Sequence, residues 1–363
     1  MGSFYIDDFL KQAVSVGASD IHLSAGERPA IRVAGQIMRI NLPPLTDEDM
    51  NNTIASIAPE HLKDRISQFF DIDFSYEIKN CSRFRVNLGH QLAKNALVFR
   101  TIPYNIKSFE ELGLPKTIES FADFNNGIVL ITGPTGSGKS TTIAALIDYI
   151  NEKYAKHIIT IEDPVEFIYT NKKSIVSQRQ LLIDTPSFAD GIKYALRQDP
   201  DVIFIGEIRD RETVEAALNA AETGHMVIST IHTNDAIQTV NRIINFFEPN
   251  ERAFVRQQLA NTLRGSIAQK LVPTVDGDTR LPAPEILVVS STVVDFIEKD
   301  ELEQIYELVK QGSYNNMVTM NMSLYRLYEE GHISKETALY YSDSKSELEQ
   351  MMRGVYHGSN TKL

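Results

Sequence analysis

The chain has 363 residues, which is long enough for two or three domains, and it carries a net charge of −12. This acidic balance argues against a sequence-independent DNA binder, because basic residues supply most of the affinity of such proteins. No run approaches about 18 consecutive apolar residues, the N-terminus does not resemble a signal peptide, and Cys81 is the only cysteine. We therefore expect a cytoplasmic protein with no membrane span, no zinc site and no nucleic-acid partner.

The N-terminal part of the chain, residues 1 to about 104, predicts a small α/β domain of strands and amphipathic helices. One strand is "CSRFRVN", in which Arg83 and Arg85 alternate with Phe84 and Val86. Side chains alternate between the two faces of a strand, so the arginines share one face and the apolar residues point into the core.

Residues 105–115 contain few strand or helix signals and end at Pro115, which predicts a linker. The core of residues 116–272 then begins, with a short apolar strand from Gly127 to Thr132. The next residues, "GPTGSGKS", fit the pattern G-x-x-x-x-G-K-[ST] at every fixed position. Isoleucines at helical spacing follow, so strand, glycine loop and helix appear in the order that a phosphate-binding loop requires.

The chemistry of such a loop is binding of the phosphates of a nucleotide. Its glycines let backbone N–H groups curl around phosphate oxygens, and the helix N-terminus adds partial positive charge. Lys139 can reach the β and γ phosphates, and the Ser140 hydroxyl can bind Mg²⁺. The residues predicted to hold the nucleotide are Gly133, Pro134, Thr135, Gly136, Ser137, Gly138, Lys139, Ser140 and Thr141.

Three further apolar strands end in polar residues. The strand from His157 to Ile161 is followed by Glu162. The strand from Val202 to Ile205 is followed by Gly206 and Glu207. The third strand lies in "HMVISTIHTND" and has His225 and His232 at its two ends. Alternating strands and helices predict a mostly parallel sheet, whose ligands gather at the carboxyl ends of the strands. Taken alone, Glu162 would be interpreted as a solvent-exposed turn residue. Glu207 taken alone would be interpreted as an ion-pair partner of Arg209 or Arg211. Their conjunction with a phosphate loop favours an active site.

The last segment, residues 273–363, predicts a mainly helical region. It opens with "VPTVDGDTRLPAPE", Val272 to Glu285, which holds three prolines and a glycine and therefore predicts a loop.

Four sequence boxes, "GPTGSGKS", "TIEDPVEF", "LRQDPDVIFIGEIRD" and "AAETGHMVISTIHTND", closely resemble those of the secretion ATPase superfamily. Within it, the chain resembles the type IV pilus retraction ATPases, the PilT group. The resemblance covers nearly the whole chain. It implies a RecA-like P-loop ATPase core, a small PAS-like α/β N-terminal domain and a C-terminal helical region. It also implies a homo-hexameric motor that hydrolyses ATP with Mg²⁺, works on an inner-membrane pilus platform protein at the cytoplasmic face, and acts indirectly on pilins.

The resemblance also implies residue roles. Glu162 would polarise the attacking water, and Glu207 would hold Mg²⁺ together with Ser140, although these two glutamates could exchange roles. His225 and His232 would sense the γ-phosphate or contact a neighbouring domain. Arg83, Arg85 and Arg100 are the candidates for arginines that reach the nucleotide from the N-terminal domain.

The chain departs from the family in two places. In the C-terminal region, "TVVDFIEK" stands where retraction ATPases often carry the arginine-bearing "AIRNLIRE", and the N-terminal domain reads "NLGHQLAKNALVFR" where a glutamine-arginine-glycine hairpin is typical. An assembly or secretion motor is one alternative function, but it usually carries an extra N-terminal domain and a four-cysteine zinc module, and this chain is short with one cysteine. A conjugation-type ATPase is a second alternative, and a regulatory nucleotide-binding protein without mechanical output is a third.

Overall fold

The structure is a computed structural model that describes residues 4–33, 35–63, 66, 71–79, 81–102, 105–233, 235–277, 279–310 and 316–354. It divides into two compact units, Met1–Asn105 and Ile106–Leu363. None of the helices in the described part of the chain is long and apolar enough to cross a membrane.

The N-terminal unit consists of a single sheet with helices packed on it. Its elements in chain order are α1 (Ile6–Ser15), β1 (Ala18–Ser24), β2 (Ala30–Val33), β3 (Gln36–Arg39), α2 (Asp47–Ile57), α3 (Glu60–Lys63), β4 (Asp71–Ile78), β5 (Ser82–Gln91) and β6 (Lys94–Ile102). The strands form a six-stranded sheet in the order β3-β2-β1-β6-β5-β4, and all neighbouring pairs are antiparallel.

The alternation of apolar and polar residues along the strands explains how this sheet forms a core on one face. On β5 buried and half-buried residues alternate, with Phe84 and Val86 in the core and Arg83 and Arg85 on the other face, as the sequence pattern predicts. Helix α2 begins at a capping box in which Thr46 accepts a hydrogen bond from the N–H of Asp49, and Asp49 accepts one from the N–H of Thr46.

The second unit contains a larger sheet surrounded by helices. Its strands are β7 (Gly127–Thr132), β8 (His157–Glu162), β9 (Ile175–Gln180), β10 (Val202–Ile205), β11 (Met226–Ile231), β12 (Leu263–Pro273) and β13 (Arg280–Val288). Its helices are α4 (Thr117–Ser120), α5 (Lys139–Lys153), α6 (Phe188–Ala195), α7 (Arg211–Glu222), α8 (Gln238–Ile244), α9 (Arg252–Thr262), α10 (Ser291–Glu298), α11 (Leu302–Lys310), α12 (Met320–Glu329), α13 (Lys335–Tyr341) and α14 (Lys345–Met352), with a short 3-10 helix at Phe121–Asp123.

The strand order of this sheet is β13-β12-β7-β11-β10-β8-β9, and all neighbours are parallel except β12 and β13. Every residue of β7, β10 and β11 is buried, as expected for parallel strands that are covered by helices on both faces. The predicted α/β fold class is confirmed. Because these strands are parallel, the residues that follow β7, β8, β10 and β11 meet at one edge of the sheet.

The segment Val272 to Glu285 is not the loop that its prolines and glycine predict. β12 continues to Pro273, a turn containing Gly277 follows, and β13 starts at Arg280 and pairs antiparallel with β12. β13 is one of the two edge strands of the sheet, and an edge strand tolerates residues such as Pro282 and Pro284 that lack a backbone N–H.

Residues 105–115, which the sequence predicts as a linker, contain no helix or strand in the structure. Phe109 and Leu114 are buried in the core of the second unit, where they pack with residues of α4, β7 and α5. Apolar burial therefore anchors most of residues 105–115 to the unit that follows them.

Candidate active site

The phosphate loop connects the carboxyl end of β7 to the start of α5. Gly136 and Gly138 have φ angles of 78° and 88°, a left-handed conformation that glycine adopts without strain. Gly138 is the N-cap of α5, so the first N–H groups of the helix face the inside of the loop. This geometry produces a concave, positively polarised surface that suits an anion.

Gln269 on β12 supports the loop from the neighbouring strand. Its side-chain amide donates to the carbonyl of Ser137 at 2.8 Å and accepts from the hydroxyl of Thr142 at 2.7 Å. A Cβ atom on Gly138 would lie 2.7 Å from Nε2 of Gln269, and one on Gly133 would lie 2.5 Å from the Gln269 carbonyl oxygen. These two glycines are therefore required by close packing as well as by backbone conformation.

Lys139 and Ser137 point their polar atoms at the loop itself. The ammonium of Lys139 donates to the carbonyls of Gly133 and Pro134, at 2.8 and 2.9 Å. Burial lowers the pKa of Lys139, although the carboxylates of Glu166 and Glu207 oppose this effect. The hydroxyl of Ser137 is buried and has no hydrogen-bond partner. An unpaired buried donor of this kind is costly, and a phosphate oxygen in the loop would satisfy it.

Glu162, the last residue of β8, is a buried carboxyl group. Its side chain accepts hydrogen bonds from Thr160 at 2.6 Å, from Gln178 at 3.2 Å, and from the N–H of Glu166 at 3.4 Å. Burial raises the pKa of Glu162 to about 7, and these hydrogen bonds only partly offset the rise. A carboxyl group with a pKa near the working pH suits proton transfer from water.

Glu207 follows β10 and joins the other groups at this edge. Its carboxylate forms an ion pair with Arg209 and lies 3.6 Å from Nε2 of His232. Gly206, just before it, packs closely on β8, since a Cβ atom there would lie 3.3 Å from Cα of Glu162. The charge of the Glu207 carboxylate favours the protonated form of Lys139, an electrostatic effect that acts on the pKa of the loop lysine without a direct ion pair between the two described side chains.

His225 lies at the other end of β11 from His232. Its ring nitrogen Nδ1 contacts the carbonyl of Ala220 at 3.0 Å and the hydroxyl of Thr223 at 3.2 Å, which places the ring at the C-terminus of α7. Its own carbonyl accepts from the N–H of Gly127, the first residue of β7. The structure therefore does not bring His225 to the edge that carries the phosphate loop, and contact with a neighbouring domain stays a prediction.

The three candidate arginines all belong to the N-terminal unit. Arg85 pairs with Asp73 at 3.3 Å, and Arg100 donates to Asp20 at 3.0 Å. Arg83 has a buried Nε without a hydrogen-bond partner. Burial favours the neutral form of Asp20, but hydrogen bonds from Ser19 and Arg100 outweigh this and hold its pKa below the usual value. The reach of these arginines to a nucleotide stays a prediction.

Comparison with known proteins places this arrangement in a family. The family model described as "Type II/IV secretion system protein" matches residues 3–355. The chain belongs to this family.

Individual relatives agree with the family match. The chain is 42% identical over 333 residues to the type IV pilus retractation ATPase PilT of Pseudomonas aeruginosa, covering 92% of this chain and 96% of the relative. It is 45% identical over 310 residues to the twitching motility protein of Neisseria gonorrhoeae, covering 85% and 83% of the two chains. The crystal structure of the pilus retraction motor PilT with bound ADP superposes with a TM-score of 0.90 at 44% identity, over 96% of this chain and 100% of that one. The predicted resemblance to retraction ATPases is confirmed.

Some site residues of this secretion-system family member do not stand out in its sequence. Gln269 reaches the phosphate loop only through the pairing of β12 with β7, and nothing around it in the sequence marks such a contact. Thr160 carries a weak signal, because it precedes Glu162 by two residues and so shares its strand face. Of the two arginines that could pair with Glu207, Arg209 does so, whereas Arg211 pairs with Glu215 and Glu251.

Proposed function

We propose that the chain is a motor ATPase that couples ATP hydrolysis to retraction of type IV pili. One observation carries the proposal: a preformed phosphate loop follows β7 at the same edge of the parallel sheet at which the buried Glu162 ends β8 and Glu207 follows β10. Phosphoryl transfer to water needs this combination of an anion cradle, a metal-binding carboxylate and a group that orients water. Similarity to proteins named as a retractation ATPase and as a twitching motility protein supports retraction as the output.

In this proposal the residues from Gly133 to Thr141 bind the phosphates of ATP. The ammonium of Lys139 exchanges the carbonyls of Gly133 and Pro134 for oxygens of the β and γ phosphates, and Ser137 gains its missing partner. Ser140 and Glu207 offer the hydroxyl and carboxylate oxygens that Mg²⁺ prefers. When bound, Mg²⁺ neutralises charge that develops on the phosphate oxygens.

Glu162 has the role of accepting a proton from the attacking water. Hydrogen bonds from Thr160 and Gln178 fix its carboxyl group, so the carboxylate is oriented before the nucleotide arrives. His232 contacts Glu207 rather than Glu162, and its proposed role is to report the state of the γ-phosphate through that carboxylate.

The proposed assembly is a homo-hexamer that acts on an inner-membrane pilus platform protein, and through it on pilins. Arg83, Arg85 and Arg100 belong to a different unit from the phosphate loop, so a site that uses any of them forms only when units pack together. A ring provides such packing through repeated heterologous contacts that close by rotation. Light scattering with nucleotide present tests this: a hexameric mass supports the ring, and a monomer at micromolar concentration contradicts it.

The alternative functions, a motor that does not retract pili and a regulator that does not hydrolyse ATP, predict different experimental results. An assembly, secretion or conjugation motor would share the nucleotide chemistry but not the retraction output, so cellular pilus counts separate it from the proposal. A regulatory nucleotide-binding protein would bind ATP without turning it over, so steady-state hydrolysis distinguishes it. The conjunction of Glu162 with the loop favours turnover over simple binding.

The direct biochemical test is steady-state ATP hydrolysis by Lys139→Ala. We expect the rate to fall about a hundredfold or more, which is the usual effect of removing one preorganised donor to the reacting group. The matched control is Lys153→Ala in the last turn of the same helix, where the ammonium pairs with Asp123 at the surface. Wild-type hydrolysis by Lys139→Ala would contradict the assignment of the site, whereas Lys153→Ala should retain it.

A further inference from the structure

The two oxygens of the Glu162 carboxyl group have different surroundings. Oε1 accepts the hydrogen bonds from the hydroxyl of Thr160 at 2.6 Å and from the amide of Gln178 at 3.2 Å. Among the described residues, Oε2 accepts one long contact, 3.4 Å from the N–H of Glu166. Oε2 is therefore the oxygen that has capacity left to bind a water molecule.

The edge strand β9 places Gln180 beside this carboxyl group. β8 and β9 are parallel, and Glu162 and Gln180 are partners in their register. Gln178, two residues before Gln180 and so on the same face of the strand, reaches the Glu162 carboxyl group. The side chain of Gln180 therefore emerges next to Glu162, one step nearer than Gln178 to the carboxyl edge of the sheet.

Backbone contacts on both sides of Gln180 hold it in this position. Its N–H donates to the Asp184 carboxylate at 2.8 Å, and its C=O accepts from the N–H of Asp184 at 2.8 Å. The N–H of the next residue, Leu181, donates to the C=O of Glu162 at 2.8 Å. The turn after β9 is thus anchored to the end of β8, which fixes the backbone of Gln180 relative to Glu162.

The side chain of Gln180 carries an unused hydrogen-bond acceptor. Its oxygen Oε1 is buried and has no hydrogen-bond partner among the described residues. A buried acceptor without a partner is unfavourable, and a water molecule is a common partner for such a group. Oε1 of Gln180 and Oε2 of Glu162 together offer two acceptors for the two hydrogens of one water molecule.

We propose that Gln180 is a positioning residue that orients the attacking water together with Glu162. The inference rests on the proposed ATP hydrolysis and adds a second acceptor to it. One O–H of the water donates to Oε2 of Glu162 and the other to Oε1 of Gln180, which leaves a lone pair of the water oxygen for the γ-phosphorus. As the new O–P bond forms, the bond from the γ-phosphorus to the bridging oxygen breaks, ADP leaves with that electron pair, and the water proton passes to Oε2 of Glu162.

The test separates turnover from nucleotide binding. Steady-state hydrolysis by the full chain gives kcat and the KM for ATP, and titration calorimetry gives the Kd of ADP. Gln180→Leu should lower kcat about tenfold, the effect of losing one hydrogen bond of ordinary strength, and should leave the KM and the Kd of ADP unchanged.

Gln180→Glu is the conservative variant, because its carboxylate keeps an acceptor oxygen at this position. It should turn over faster than Gln180→Leu. Both variants are compared at about pH 8.5, so that Glu162 stays ionised when the charge of a second carboxylate raises its pKa further.

Gln258→Leu is the matched control, because the Gln258 amide bonds Glu222 at the surface, and this variant should keep the wild-type kcat. The positioning role is refuted if Gln180→Leu keeps the wild-type kcat, if it raises the Kd of ADP as much as it lowers kcat, or if Gln180→Glu is as slow as Gln180→Leu. If the wild type does not hydrolyse ATP, the proposed function fails, and the positioning role fails with it.

Discussion

Gln269 accepts a 2.7 Å hydrogen bond from the hydroxyl of Thr142, and this contact connects β12 directly to the first turn of α5. The same amide donates to the carbonyl of Ser137 in the phosphate loop. Gln269, Thr142 and Ser137 are all buried, so water does not compete for these hydrogen bonds. The loop is therefore held in its open, concave form before any ligand binds.

Gln269→Leu should destabilise the loop and weaken nucleotide binding. The leucine leaves the Ser137 carbonyl and the Thr142 hydroxyl buried without partners, at a cost of about 1–3 kcal/mol for each group. Urea unfolding and the Kd of ADP measure the two effects. Gln258→Leu is the control, since Gln258 bonds Glu222 at the surface, and it should change neither value much. Equal behaviour of the two variants would contradict a supporting role for Gln269.

Local sequence patterns predict much of this molecule because each depends on neighbouring residues. The phosphate loop follows from the spacing of its glycines and Lys139, and the burial of Phe84 follows from strand alternation. The polar ends of β8 and β10 could be expected at one edge, because strands separated by helices form parallel sheets.

The remaining features depend on the order of strands in space, which no local pattern contains. From the sequence alone, Pro282 and Pro284 indicate a loop. The structure shows that they lie on β13, which is an edge strand and therefore tolerates proline. His225 and His232 are seven positions apart in the sequence. Strand β11 lies between them, so His225 is at the amino end of the parallel strands and His232 is at the carboxyl end, beside Glu207. Gln269 acts on the loop only because β12 pairs with β7.

The stability difference between Glu162→Gln and the wild type should depend on pH. Burial raises the folded-state pKa of Glu162 from 4.5 to about 7, so the folded protein keeps this proton longer than the unfolded chain does. The unfolding free energy of the wild type therefore falls as the pH rises from about 4.5 to about 7. Above pH 7, the loss of stability that comes from ionising Glu162 stays constant. Because glutamine does not ionise, Glu162→Gln does not lose this stability. The variant should be more stable than the wild type by up to about 3 kcal/mol at pH 8, but not at pH 4.5.

Denaturant unfolding of both proteins across this pH range is the measurement. A difference in unfolding free energy that is constant with pH would contradict the raised pKa. Glu285→Gln gives a parallel case outside the active site, because burial also raises the pKa of Glu285 to about 7. It should show the same direction of stability change while retaining ATP hydrolysis.

The rate of ATP hydrolysis should rise with pH through about 7. Only the carboxylate form of Glu162 can take a proton from water, and its pKa is raised to about 7. A pH–rate profile of kcat between pH 6 and 8.5 measures this, and Glu285→Gln should keep the same rising limb. A flat profile over this range would show that ionisation of Glu162 does not control turnover.

Glu207→Gln should remove the dependence of ATP affinity on Mg²⁺. The wild type should bind ATP more tightly with Mg²⁺ than with a chelator, because the Glu207 carboxylate is the proposed metal ligand beside the phosphate loop. Glu215→Gln is the control, since Glu215 pairs with Arg211 on α7 and should leave the metal effect intact. Retention of the full Mg²⁺ effect by Glu207→Gln would contradict the assignment.

The central claim is that ATP hydrolysis by this chain drives pilus retraction, and surface pili counted by electron microscopy in the host cell test it most directly. The strains to compare carry the wild-type gene, a deletion, or Glu162→Gln, which should bind ATP without positioning water for attack. The account predicts that the deletion and Glu162→Gln strains both have more surface pili than the wild type and lose pilus-driven movement. Cells without pili in the deletion strain would show an assembly motor and contradict the account.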